Sequence, residues 1–171
     1  MISLVFMGVS GCGKSSAAAA VASRLGLLLI EGDHYHPLAN VQKMQAGQAL
    51  NDLDRADWLC TLADLLTQHP SGVVMTCSAL KRGYRDQLRS SRPGLRFVFL
   101  ALSPAIARQR VSVRGNSHFM PSSLVESQFA DLESPEGEDG VLTVDATRSM
   151  EEIAQAVAQW IESDEAPKSR P

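Results

Sequence analysis

A lysine and a serine directly behind a glycine-rich turn constrain this chain more than any other feature. Residues 8–15 read Gly-Val-Ser-Gly-Cys-Gly-Lys-Ser, a full match to G-x-x-x-x-G-K-[ST]. Ahead of the turn stands an apolar run over residues 2–7, consistent with a buried parallel strand. Behind it residues 15–25 are Ala-rich, with high helix propensity, and Gly26 supplies the stop. A strand-to-helix turn of this composition aims backbone N–H groups inward around phosphates, and the start of the helix adds its positive dipole. The reading assigns nucleotide binding to Gly8, Val9, Ser10, Gly11, Cys12, Gly13, Lys14, Ser15 and Ser16. Lys14 bridges the outer phosphates during transfer and Ser15 ligates Mg²⁺. An ordinary glycine-rich turn before a helix is the alternative, and the complete signature in its expected setting argues against it.

Further short apolar runs at 27–30, 73–76, 96–100 and 141–144 predict four more strands. Between them lie helical signals. Residues 40–46 end at Gly47, and Trp58, Leu59, Leu62, Leu65 and Leu66 form a stripe. Leu80, Tyr84 and Leu88 keep helical spacing, Ser103-Pro104 opens another helix, and Ser149 with Glu152 forms a capping box. Strands alternating with helices predict an α/β fold: a five-stranded parallel sheet covered on both faces. With 171 residues, no repeat and no linker, one domain over residues 1–163 is expected, followed by a frayed polar tail at 164–171.

Ligands of such sheets bind beyond the carboxyl ends of the strands, so residues there are candidates. After the second strand comes Glu31-Gly-Asp33-His-Tyr-His36-Pro. Asp33 is placed to orient an acceptor hydroxyl and take its proton; a turn aspartate before Pro37 is the other reading. His36 is assigned to donate to a substrate oxygen. Lys43, Asp52, Asp54, Arg55 and Trp58 follow in a polar stretch, which is either solvated loop charge or, with Arg55 paired to Asp52 or Asp54, a loop held over the substrate. The third strand ends in Cys77-Ser78-Ala79-Leu80-Lys81, with no aspartate where one often helps hold Mg²⁺. Lys81 and Arg85, four apart, read as one helix face gripping an anionic substrate. Arg110 and Arg114 share a later face and precede a lid at about 110–121, where they would neutralise charge on the transferring phosphoryl group.

The formal net charge of -3 argues against a nucleic-acid binder, and no stretch approaches a membrane span. Nine of the 16 Lys and Arg residues fall between Lys81 and Arg114, against one acid, Asp86. The cluster is either a set of solvated helix faces or an anion-holding segment. Three cysteines without CxxC spacing indicate neither a disulfide framework nor a zinc site, and the N-terminus shows no signal sequence, so a cytoplasmic protein is expected. Cys12, beside Lys14 and a helix start, is expected to be a reactive thiol, more so than Cys60 in the apolar stripe.

Taken together, GVSGCGKS at Gly8, EGDHYHP at Glu31, NVQKM at Asn40, LNDLDRADWL at Leu50, CSALKRGYRDQLR at Cys77 and HFMPSSLVESQFADLESP at His118 resemble the gluconokinases, small P-loop sugar-acid kinases. The likeness runs from Ile2 to about Trp160. It implies ATP-dependent phosphorylation of D-gluconate at the 6-hydroxyl, Mg²⁺, a mobile lid and usually a homodimer. It also implies roles for Lys14, Ser15, Asp33, Lys81, Arg85, Arg110 and Arg114, with Glu31 standing where an aspartate is common. Shikimate kinase is the nearest enzymatic rival, though it typically carries a glycine-rich turn where this chain has CSALK. A nucleoside monophosphate kinase and a non-catalytic nucleotide switch are the others.

Overall fold

Four residues without a polar side chain, Leu4–Met7, form the central strand β1, and all four are buried. The structure is a computed structural model. It describes residues 2–114 and 124–165, the side chains of Arg114, Asp164 and Glu165 excepted. The order is β1 (Leu4–Met7), α1 (Lys14–Leu25), β2 (Leu28–Glu31), a 3₁₀ turn (Gly32–Tyr35), α2 (Leu38–Gln45), α3 (Asp52–Gln68) and β3 (Val73–Thr76). Then come α4 (Arg82–Ser91), β4 (Arg96–Ala101), α5 (Pro104–Arg114), α6 (Leu124–Asp131), β5 (Val141–Asp145) and α7 (Met150–Glu165). The strands pair in parallel in the order β2-β3-β1-β4-β5.

Side chains of β1 alternate between two cores, as the strand period requires. Leu4 and Phe6 pack with Ala17, Ala18 and Val21 of α1 and with Ile153 and Val157 of α7. Val5 and Met7 pack with Trp58, Leu59, Leu62 and Leu66 of α3 and with Leu88 of α4. The helices that follow β1 and β3 therefore lie on opposite faces, which opens a crevice at the carboxyl ends of these neighbouring strands. The amide of Gly8 donates across it to the carbonyl of Ser78 at 3.2 Å.

The structure departs from the expectations in three places. β2 is an edge strand, not a buried one, and Leu28 is 53% exposed. Residues 124–131 form α6, which the sequence reading gave no helix. The last helix continues to Glu165, into the segment expected to be tail; residues 166–171 and the lid segment 115–121 lie outside the described residues.

The turn after β2 is pinned from both sides. The Gly32 amide donates to Thr76 Oγ1 at 3.1 Å, and its carbonyl accepts from Trp58 Nε1 at 2.8 Å. A Cβ on Gly32 would stand 2.1 Å from the Thr76 carbonyl oxygen. Gly32→Ala must therefore push β2 off β3, and the expected loss is about 1–3 kcal/mol, the range for overpacking, read as a lower urea midpoint.

Candidate active site

The turn between β1 and α1 folds as a cradle lined by Ser10, Gly11, Gly13, Lys14, Ser15, Ser16 and Asp33. Gly13 is the residue before α1 and has φ 92°, which favours glycine. The loop is backed by α5: a Cβ on Gly11 would meet the Ala107 carbonyl oxygen and Val111 Cγ2, each at 3.1 Å. Lys14 Nζ donates to the carbonyls of Gly8 and Val9, both at 3.1 Å, so its ammonium curls over the loop that a phosphate would share. Gly8, Val9 and Cys12 do not line the cradle; Val9 and Cys12 point into the core beneath it.

Ser15 Oγ donates to Glu31 Oε2 at 3.0 Å, and Thr76 Oγ1 donates to the same oxygen at 2.7 Å. The carboxylate missing from the end of β3 is thus supplied from β2, whose Glu31 lies in register with Thr76. A serine hydroxyl with one carboxylate behind it suits Mg²⁺, which takes few protein ligands and completes its shell with phosphate and water. Cys77 fits the vacated position as a neutral group: burial pushes its thiol up to about 12.

A second cleft adjoins the cradle and shares Ser10, Lys14 and Asp33 with it. Its other walls are His36, Met44, Ala49, Leu50, Arg55, Trp58, Ser78, Leu124, Ser127 and Gln128. It opens to solvent, and its walls mix apolar side chains with a few polar groups, the make-up of a small-molecule site. The Asp33 carboxylate makes no hydrogen bond or ion pair with another described residue. His36 stacks on Trp58 with ring centroids 4.1 Å apart. Burial lowers the His36 pKa to about 4, aided by Arg55 and opposed by Asp33, so the ring is neutral near pH 7.

Arg55 lines this cleft away from Lys14, a place its sequence neighbours did not reveal. It is buried and bonds Asp131 Oδ2 at 3.1 Å and Tyr84 Oη at 3.2 Å, so it is neither solvated loop charge nor paired to Asp52 or Asp54, the two alternatives above. Both bonds run through Nη1, so donors on Nε and Nη2 remain for a ligand. Asp52 instead joins Lys81, at 2.6 Å, and the Tyr84 hydroxyl, and these bonds hold its carboxyl below the ordinary range. Lys43 pairs with Asp54 at 2.7 Å. Neither Lys43 nor Lys81 lines the cleft.

The expectation that Arg85 grips a substrate is corrected by its surroundings. Lys81 is the extended residue before α4 and its carbonyl accepts from the Arg85 amide at 3.3 Å, but the two side chains part, Lys81 to Asp52 and Arg85 to Glu138. Arg85 is fully buried; its Nε and Nη2 hold Glu138, and Nη1 donates to the carbonyls of Ala79 and Leu80. Burial pushes the Glu138 carboxyl up, but bonds from Arg85 and Arg89 outweigh it and hold the group below its ordinary pKa. Arg85 thus clamps the loop after β3, including Ala79 at the left-handed φ of 44°. Arg85→Met should cost about 3 kcal/mol in urea unfolding, the low end for breaking a buried pair, because Arg89 still reaches Glu138 at 2.7 Å.

Arg110 binds the carbonyls of Gly11 at 3.4 Å and Ala146 at 3.0 Å, and it lines neither the cradle nor the cleft. The side chain of Arg114 lies outside the described residues.

The thiol expectation also changes. Cys12 is buried without exposure, while Cys60 is exposed on α3, off its apolar stripe. A maleimide should label Cys60 first and leave Cys12 and Cys77 unmodified in the native protein, as mass spectrometry of the digested product would show. Label at Cys12 before Cys60 would contradict this packing.

Sheet order, phosphate cradle and adjoining cleft define a P-loop kinase. A family model described as AAA domain matches residues 4–135. The chain is 41% identical to the gluconokinase of Gluconobacter oxydans, over 95% of this chain and 92% of that one. The crystal structure of a gluconokinase from Sinorhizobium meliloti superposes with a TM-score of 0.83 at 42% identity, covering 96% of this chain and 97% of its own. Shikimate kinase from Acinetobacter baumannii shares the fold, with a TM-score of 0.65 at 17% identity over 97% of this chain and 96% of its own. The chain belongs to the gluconokinase family. Among its described residues no helix is long and apolar enough to cross a membrane.

Proposed function

We propose that this kinase transfers the γ-phosphoryl group of ATP to the 6-hydroxyl of D-gluconate, giving 6-phospho-D-gluconate and ADP. The observation that carries the reading is that cradle and cleft meet at Ser10, Lys14 and Asp33, so a phosphate in one and a hydroxyl in the other face each other over a carboxylate. The relatives named as gluconokinases supply the acceptor's identity.

Each residue then has a physical task. Loop amides and Lys14 hold the phosphates, Lys14 giving up its two carbonyl bonds to do so. When bound, Mg²⁺ neutralises phosphate charge, and Ser15 with Glu31 behind it would hold the ion. Asp33 orients the acceptor hydroxyl and takes its proton as the new O–P bond forms and the bond to the bridging oxygen of ADP breaks. Arg55 binds the carboxylate at the far end of the acceptor through its remaining donors. Neutral His36, fixed against Trp58, hydrogen-bonds a substrate hydroxyl. Arg114, and Arg110 once it leaves the carbonyls of Gly11 and Ala146, neutralise charge on the transferring group, while Lys43 and Lys81 act from the flank. We also read the enzyme as a cytoplasmic homodimer built from a single kinase domain.

A coupled assay of ADP formation across a panel of sugar acids tests this. Gluconate should stimulate turnover and yield 6-phosphogluconate, and Asp33→Asn should lower kcat about 10²–10⁴-fold with ATP still bound. Turnover of shikimate or a nucleoside monophosphate in place of gluconate would refute the assignment, and near-normal kcat in the variant would remove Asp33 from the mechanism.

A further inference from the structure

Helix α6 touches both halves of the site with one face. Leu124, Ser127, Gln128 and Asp131 stand at i, i+3, i+4 and i+7, which share a helical face. The first three line the acceptor cleft, and Asp131 holds Arg55 at 3.1 Å. Gln128 is buried, and its Oε1 accepts the backbone N–H of Ser10 at 2.5 Å. A backbone N–H can only donate, which fixes the side-chain oxygen on Ser10. Ser10 in turn lines both the phosphate cradle and the acceptor cleft. Two residues of one short helix, about 4.5 Å apart along its axis, thus grip the phosphate loop and the arginine of the cleft.

We propose that Gln128 is a positioning residue that couples acceptor binding to the phosphate loop. The inference rests on the gluconate reading. A carboxylate arriving at Nε and Nη2 of Arg55 shares the guanidinium charge with Asp131 and re-aims the Nη1 bond that Asp131 accepts. α6 answers as a rigid turn of helix, and Gln128 carries the adjustment to the Val9–Ser10 peptide. Linkage makes the effect reciprocal: a nucleotide that sets the Ser10 peptide changes the affinity for the acceptor by the same factor. Gln128 touches the loop through an uncharged amide, so it moves the peptide without drawing Lys14 away from the phosphates.

The test is a pair of gluconate titrations by calorimetry, with and without Mg²⁺ and a non-hydrolysable ATP analogue, on the wild type and on Gln128→Met. Methionine keeps the length of the side chain and removes the acceptor oxygen. The wild-type affinities should differ by at least about fivefold, the low end of typical coupling, and the Gln128→Met ratio should fall to near one. Asp131→Asn should also reduce the ratio, because it weakens the other end of the same helix. A folding defect would raise the ratio and not lower it, because the analogue binds the folded form and refills the competent fraction, so a fall toward one is not a folding effect. A wild-type ratio of one, or a Gln128→Met ratio equal to that of a gluconate-phosphorylating wild type, overturns the coupling role and leaves the substrate reading intact. A wild type that does not turn over gluconate sinks the substrate reading, and this inference with it.

Discussion

The hydrogen bond from the Gly8 amide to the Ser78 carbonyl, next to that from the Cys77 amide to the Phe6 carbonyl, joins the ends of β1 and β3. The parallel register of these strands brings both loops to the same edge, and their helices then leave on opposite faces. The other site groups are referenced to that point. The phosphate cradle follows Gly8, and the clamped loop of Ser78 and Ala79 follows β3. Glu31 and Asp33 stand next door, because β2 pairs with β3. A chain that mispaired these two strands would keep its helices and lose its site.

What the sequence made legible follows from local chemistry. A cradle that needs glycine at positive φ, with lysine and serine in the next two places, can be read from eight residues, because those requirements are met within the turn itself. Short apolar runs revealed the strands, and the position after a strand singled out Asp33. What stayed hidden depends on partners far along the chain. Arg85 meets Glu138, 53 residues on, and Arg55 meets Asp131, 76 on. Gln128 reaches back 118 residues to Ser10. No spacing rule sees such pairs. α6 escaped notice because eight residues give little more than two helical turns of periodicity. The carboxylate behind Ser15 was sought on β3, where P-loop proteins often carry it, and the register of β2 supplies it instead.

The basic segment between Lys81 and Arg114 illustrates how composition misleads. Its excess of positive charge suggested an anion site, yet most of its members serve the fold. Arg85 and Arg89 hold Glu138, Arg92 caps the Pro70 carbonyl, Arg108 pairs with Glu126, and Arg110 bonds two carbonyls. The arginine that lines the acceptor cleft, Arg55, lies outside the segment. Buried guanidinium groups must satisfy their donors wherever acceptors are found. A count of cations along the chain therefore says little about which of them face a ligand.

The stacking of Trp58 on His36 gives the acceptor cleft an optical signal of its own. The chain has two tryptophans, and the other, Trp160, lies on α7 beside Arg96. Trp58 is buried, its indole N–H is tied to the Gly32 carbonyl, and one ring face is covered by an imidazole that is neutral near pH 7. An uncharged imidazole lacks the cationic charge that makes protonated histidine an effective quencher of indole emission. Any occupant that shifts His36, or changes its protonation, alters the light from a chromophore already seated in the wall it touches. The fold thus carries a built-in fluorescence gauge of its acceptor cleft, with no label to attach.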